Sequence, residues 1–180
     1  MISGLIPHRY ALALYKFAQE SDSCKAVYDE MKNVISAFRS NSGLEKVLSN
    51  PFVEAADKRR LLLSAAGSEP GEDYRRFVTL ILDHHREEFA YLMALAYRRI
   101  YRKANNIREV RISTAARLPE AEIDKLKGVV ARAYAGSSFE YSYAVDPELI
   151  GGFVIDVDST RMDASISSEL EQLRQNLSSN

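Results

Sequence analysis

Three histidines and one cysteine are the scarcest of the side chains in this 180-residue chain that could do chemistry, and spacing decides how each one reads. Asp83-His84-His85 sets a carboxylate beside two imidazoles, the donor types of a metal site or an acid–base pair. Neighbouring helical residues point about 100° apart, so His84 and His85 do not converge on one ion. A helical zinc pair is spaced by three or four residues, as in H-E-x-x-H, and that motif is absent. Asp83 and Glu87 have i,i+4 spacing but are carboxylates only, and His8 does not complete a set. The segment reads as a polar helix end or turn, with neither a metal nor a cofactor expected.

Gly151-Gly152 invites comparison with a phosphate cradle, but such loops open a helix and carry a following Lys-Ser or Lys-Thr. Here the apolar run Phe153-Val154-Ile155 follows and no Lys is near, so the pair reads as a tight turn into a buried strand. Cys24, the one cysteine, forms no internal disulfide and no thiolate metal site by itself. A place in the first turn of a helix lowers a thiol pKa, yet no His lies close in sequence, and a small packed residue is expected. No G-x-S-x-G elbow is present. Tyr97-Arg98-Arg99-Ile100-Tyr101-Arg102-Lys103 interleaves cations and aromatics, as single-strand binders do. It also sits at an expected helix C-terminus, where cations favour the helix dipole, and its apolar residues fall at core spacing. The structural reading is preferred; a single-stranded nucleic-acid or acidic-protein adaptor is the alternative.

The elements that would position these residues fall into two periods. Up to about Asn105 helix follows helix. Ile6, Tyr10, Leu14 and Phe17 recur at helical spacing, as do Val27, Met31, Val34 and Phe38 beyond a polar break at Glu20–Ser23. Ser42 with Glu45 matches a capping box for a short helix that Asn50-Pro51 ends. Further helices are expected over Glu54–Ala66, through Tyr74–Leu82, and from Phe89 to Ile100. After Asn106 the period changes to alternation at Val110, Ile112 and Thr114, and again from Phe139 to Val145 and from Phe153 to Val157, with a helix from Pro119 to Gly136 between the first two. A last helix carries Ile166, Leu170, Leu173 and Leu177 on one stripe. The expectation is an α+β chain of two domains. Residues 1–105 form a six-helix bundle, and residues 106–180 a smaller α/β domain with a short sheet and a C-terminal helix.

Composition bounds what such a chain does. Its 20.3 kDa and 46% hydrophobic content support real cores and exclude wholesale disorder. The 24 basic and 25 acidic side chains lack the basic excess of a dedicated nucleic-acid binder. They divide unevenly: 16 basic and 13 acidic before residue 106 give +3, and 8 and 12 after it give −4. No secretory leader is visible, and no run approaches the roughly 20 apolar residues of a spanning helix. Tyr10 to Ala18 carries one charge in nine residues, and Phe77 to Leu82 is as apolar. A surface helix needs only one apolar stripe. Either both helices are central, or they hold a second apolar face for a partner helix.

Asp146-Pro147-Glu148-Leu149-Ile150-Gly151-Gly152-Phe153-Val154-Ile155, followed by Asp163-Ala164-Ser165-Ile166, Leu170 and Leu173, resembles the signature of the ATP synthase delta subunit family. Its mitochondrial counterpart is the oligomycin-sensitivity-conferring protein. Arg9-Tyr10-Ala11-Leu12-Ala13-Leu14 resembles the family's opening helix, Asn50-Pro51 its first-domain turn, and Ala115 to Pro119 the approach to its long helix. Two positions depart from the pattern: His84-His85-Arg86 replaces an Asn-containing turn, and Asp158 stands where relatives often have a hairpin glycine. The resemblance implies a non-catalytic stator subunit of a rotary F-type ATP synthase, serving ATP synthesis coupled to ion transport. An organellar member would need a transit peptide and none is visible, so a bacterial protein is expected, peripheral on the cytoplasmic membrane face, without membrane insertion or nucleic-acid binding. A groove between the first and fifth helices would hold the N-terminal helix of an alpha subunit. Tyr10, Ala13, Leu14 and Phe17 would form one wall, and Phe77, Leu80, Ile81 and His84 the other. The second domain would bind the C-terminal region of the b subunits of the peripheral stalk through Leu170, Leu173 and Leu177.

Overall fold

The computed structural model describes residues 4–178, with the side chains of Leu177 and Ser178 outside that description. Among the described residues the chain is α+β, with eight α-helices and one four-stranded sheet. It divides into two compact units between Arg102 and Lys103. The first holds α1 (Leu5–Glu20), α2 (Cys24–Ser40), α3 (Gly43–Ser49), α4 (Ala55–Ala66) and α5 (Glu72–Asp83). A 3-10 turn at Glu87–Phe89 then leads into α6 (Ala90–Ala104), in whose last turn the division falls.

Helical spacing produces the core of this unit directly. Ala11, Leu14 and Ala18 of α1, Val27, Met31, Val34 and Ile35 of α2, Val78 and Ile81 of α5, and Met93 and Ala94 of α6 are all buried. Each set lies on one face of its helix. Tyrosines fill the remaining volume with their hydroxyls satisfied, as buried phenols require. Tyr74 Oη donates to Leu62 O at 2.9 Å, and the Tyr28 and Tyr101 rings stack at 4.2 Å. Lys58 of α4 and Glu87 of the 3-10 turn form a buried ion pair at 2.6 Å. Asn50 ends α3 with an extended backbone ahead of Pro51, as the pre-proline restriction demands.

Ser42 departs from its expected role. Its backbone is already helical, at φ −62° and ψ −17°, and its side chain caps nothing. A capping hydroxyl reaches back to the second or third helical N–H only from an extended residue, so the box cannot close.

The second unit is built on a sheet of order β2-β1-β3-β4, from β1 (Ile107–Thr114), β2 (Ser138–Val145), β3 (Gly152–Val157) and β4 (Thr160–Ser165). β1 and β2 run parallel, joined by the crossover helix α7 (Glu120–Ala133); β1–β3 and β3–β4 are antiparallel. Register places Tyr141 and Val157 on either side of Val110, and Tyr143 and Ile155 on either side of Ile112. One face therefore gathers the alternating apolar residues, and Leu126 and Val130 of α7 belong to the same core. β4 is a strand that apolar alternation does not announce. Five of its six residues are exposed and only Ser165 is buried, as suits a polar edge strand. A 3-10 turn at Pro147–Leu149 precedes β3, and α8 (Ile166–Ser178) follows β4.

Candidate functional site

In the first unit, α1 and α5 both carry more apolar residues than one core face uses. α1 buries Ala11, Leu14 and Ala18 and leaves Leu12, Ala13 and Phe17 exposed. α5 buries Phe77, Val78, Ile81 and Leu82 and leaves Leu80 exposed. Ala13, Leu14, Phe17, Phe77 and Leu80 line one open depression of about 330 Å³, together with Asp73 and Arg76. Leu14 and Phe77 form its buried floor, while Phe17 at 37% exposure and Leu80 at 43% stand on its rims. Ile81 is 1% exposed and belongs to the core instead of this lining.

The two walls touch at both ends. At one end the Tyr10 and His84 rings meet edge to face with centroids 6.4 Å apart, and His84 Nδ1 lies 2.8 Å from Leu80 O. At the other, Asp73 in the first turn of α5 accepts hydrogen bonds on Oδ2 from Ser21 Oγ and Ser23 Oγ, in the turn between α1 and α2. Those bonds hold the Asp73 carboxyl below the ordinary carboxylate range. Arg76 lies over the Phe17 ring at 5.9 Å and donates to Glu72 Oε1 at 3.1 Å. The depression is thus apolar along its length and charged at one end.

The other residues whose types could do chemistry lie at helix ends, in turns or in packed positions. α5 ends at Asp83, His84 terminates it, and His85 turns the chain with φ 52°. Among the described residues, no group of three or more His, Cys, Asp or Glu is placed to hold a metal. Tyr97 is fully buried and donates to Cys24 O at 3.1 Å, and Tyr101 is stacked on Tyr28. The basic segment therefore offers no free aromatic platform for a base. Burial pushes the Cys24 thiol pKa up, against the lowering expected of a first-turn position. Among the described residues no helix is long and apolar enough to cross a membrane.

In the second unit α8 presents Ile166, Leu170 and Leu173 to solvent, Leu173 at 57% exposure; the Leu177 side chain lies outside the described residues. The segment from Asp146 to Ser165 builds the junction that launches this helix. Asp146 Oδ1 accepts from Glu148 N–H at 3.1 Å, with Pro147 in the first position of the turn. Ile150 has φ 64° and ψ −42°, closed by a 2.6 Å bond from Gly151 N–H to Leu149 O, which is a γ-turn of the strained positive-φ kind. Gly152 also has positive φ, 74°, and a Cβ there would lie 2.1 Å from Ala164 O. Asp163 Oδ1 accepts from Ser165 N–H at 2.9 Å and from Ser165 Oγ at 2.6 Å. Ser165 Oγ in turn accepts the Ser168 N–H at 3.3 Å, capping α8. The family resemblance marks Asp163 and Ser165 but not Ser168, although the Ser165-x-x-Ser168 spacing carries the cap.

The sequence matches the family model described as ATP synthase delta (OSCP) subunit over residues 6–177. A Parabacteroides distasonis protein named ATP synthase subunit delta is 38% identical over 177 residues, 98% of this chain and 98% of that relative. A Bacteroides fragilis protein of the same name is 33% identical over 174 residues, 96% of this chain and 93% of that one. The fold superposes on a chain from the cryo-EM structure of the Toxoplasma gondii mitochondrial ATP synthase hexamer. That match has a TM-score of 0.70 at 20% identity and covers 95% of this chain and 96% of the other.

Proposed function

Because the chain belongs to the ATP synthase delta (OSCP) subunit family, we propose that it is a non-catalytic stator subunit of the rotary F-type ATP synthase. It links the catalytic head to the membrane-anchored peripheral stalk, on the cytoplasmic face of a bacterial cell membrane. Rotation of the central shaft puts torque on the head, and the stator keeps the head from turning with it. Such a part needs slowly dissociating contacts at two places and no reactive centre.

The observation that carries this reading is the open apolar depression between α1 and α5, whose rims Phe17 and Leu80 stay exposed above a buried floor. Its occupant in this proposal is the N-terminal helix of an alpha subunit, laid between Ala13 and Phe17 on one side and Phe77 and Leu80 on the other. Tyr10 and His84 continue the walls past one end. Apolar area covered this way contributes about 25 cal/mol per Å², and a preformed groove reduces the ordering cost of binding. α8, with Leu170, Leu173 and Leu177, is the proposed contact for the C-terminal region of the b subunits.

Titrating the full chain with a synthetic peptide of the N-terminal helix of an alpha subunit tests the groove. Leu80→Asp is expected to weaken binding at least ~100-fold, because it sets an unpaired carboxylate against an apolar helix face. Its thermal midpoint should stay near wild type, because the residue is exposed. Unchanged affinity in that variant would refute the groove.

A further inference from the structure

We infer that Asp73, acting through Ser21 and Ser23, is the positioning residue that sets the separation of α1 and α5 at one end of the depression, so that helix docking there depends on this carboxylate. The inference rests on the groove reading above and adds to it a residue that need not touch the docked helix.

The connection runs through three elements. Ser21 directly follows α1, and Ser23 directly precedes α2. Ser21 N–H donates to Phe17 O at 3.4 Å and Ser23 N–H to Ala18 O at 2.9 Å, so the turn is fastened to the last turn of α1. Both hydroxyls then donate to the same oxygen of Asp73, 52 and 50 residues further along the chain. The wall residue Phe17 is thereby coupled through one carboxylate to α5, which carries Arg76, Phe77 and Leu80. Asp73 is itself part of the lining, with little of its surface exposed and its Oδ2 held by both serine hydroxyls. Hydrogen bonds to an ionised acceptor are roughly twice as strong as neutral ones. They also place a negative charge at the N-terminus of α5, where the helix dipole favours it. The opposite end is held by the Tyr10–His84 ring contact, so Asp73 is the polar fastening of the pair.

The charge has a definite sign of pH dependence. A carboxyl whose pKa is depressed by folding contributes its stabilisation above the ordinary aspartate range, near pH ~4. It loses that contribution as pH falls through the lowered value. The other charged or titratable groups near it are Glu72 and Arg76 on α5, Asp22 in the turn, and Cys24 and Glu30 on α2. Comparison with an Asp73 variant separates their titration from that of Asp73.

The test uses the full chain and the same helix peptide, with affinity measured from pH 8 down to about pH 2.5, below the ordinary aspartate range, beside a thermal melt at each pH. Asp73→Asn and the double variant Ser21→Ala/Ser23→Ala are each expected to bind roughly tenfold more weakly at pH 7. In the serine variant the acid-side loss of affinity should move to higher pH than in wild type, because the bonds that depress the carboxyl are gone. Asp73→Asn should lack that step, which lost stability alone would not produce. If Asp73→Asn fails to fold, the serine pair decides. Affinities within twofold of wild type and an unmoved pH profile would overturn the positioning role. Absence of binding by the wild-type chain would instead refute the groove, and the inference with it.

Discussion

Lys58 and Glu87 show how little a charged residue type says without its surroundings. Their ion pair is buried, and Glu87 Oε2 has no hydrogen-bond partner among the described residues. Desolvation offsets much of the Coulomb gain of such a pair, whereas removing one member strands the other. Lys58→Ala is therefore expected to cost about 3–5 kcal/mol in denaturant unfolding, while Lys58→Met with Glu87→Leu should fall within about 1–2 kcal/mol of wild type. Asp158 makes a related point. It takes φ 52°, a conformation Asp tolerates better than most residues. Its carboxylate accepts from Glu109 N–H at 3.1 Å and from Arg108 Nη1 at 2.9 Å. The Asp158 side chain thus joins the β3–β4 hairpin to β1.

Among elements, the β3 entry is the most sharply constrained. Gly152→Ala combines a positive φ with a Cβ driven against the Ala164 carbonyl, an atom of backbone that has no rotamer to yield. A loss of roughly 2–4 kcal/mol is expected from the strained conformation and the overlap together. It should be read as loss of amide protection across β3 and β4, with the helices of the first unit unaffected. The glycine pair was legible in the sequence as a turn into a strand, because Phe153, Ile155 and Val157 alternate after it. α1, α2, α5 and α7 were legible for the same reason: apolar period maps directly onto a buried face. β4 was not, since Thr160 to Ser165 carries its pattern in backbone pairing and not in hydrophobicity. The α1–α5 depression was half legible. An excess of apolar residues marks both helices, but periodicity does not tell a floor residue from a core residue such as Ile81. Nor does it reveal that serines in a turn fasten to an aspartate 50 residues away.

At the scale of the whole molecule, two units with separate cores would carry two separable attachments. Leu170→Asp/Leu173→Asp should abolish binding of a peptide from the C-terminal region of a stalk b subunit, because both side chains are exposed and the change places charge on the apolar stripe of α8. Affinity for the helix of the alpha subunit should stay within twofold of wild type, and Leu80→Asp should show the converse. Both losses appearing in either variant would count against independent attachments. The near-neutral total charge conceals +3 before residue 106 and −4 after it, so salt should act differently on the two attachments. One further feature bears on how the cell must handle such a chain. β2 is an eight-residue edge strand with a single charge, no proline, and Tyr143 and Val145 more than half exposed. An edge of that kind is a template for a second strand. A copy made in excess of its assembly partners is the form at risk of strand-to-strand aggregation, which favours synthesis matched in number and time to the rest of the complex.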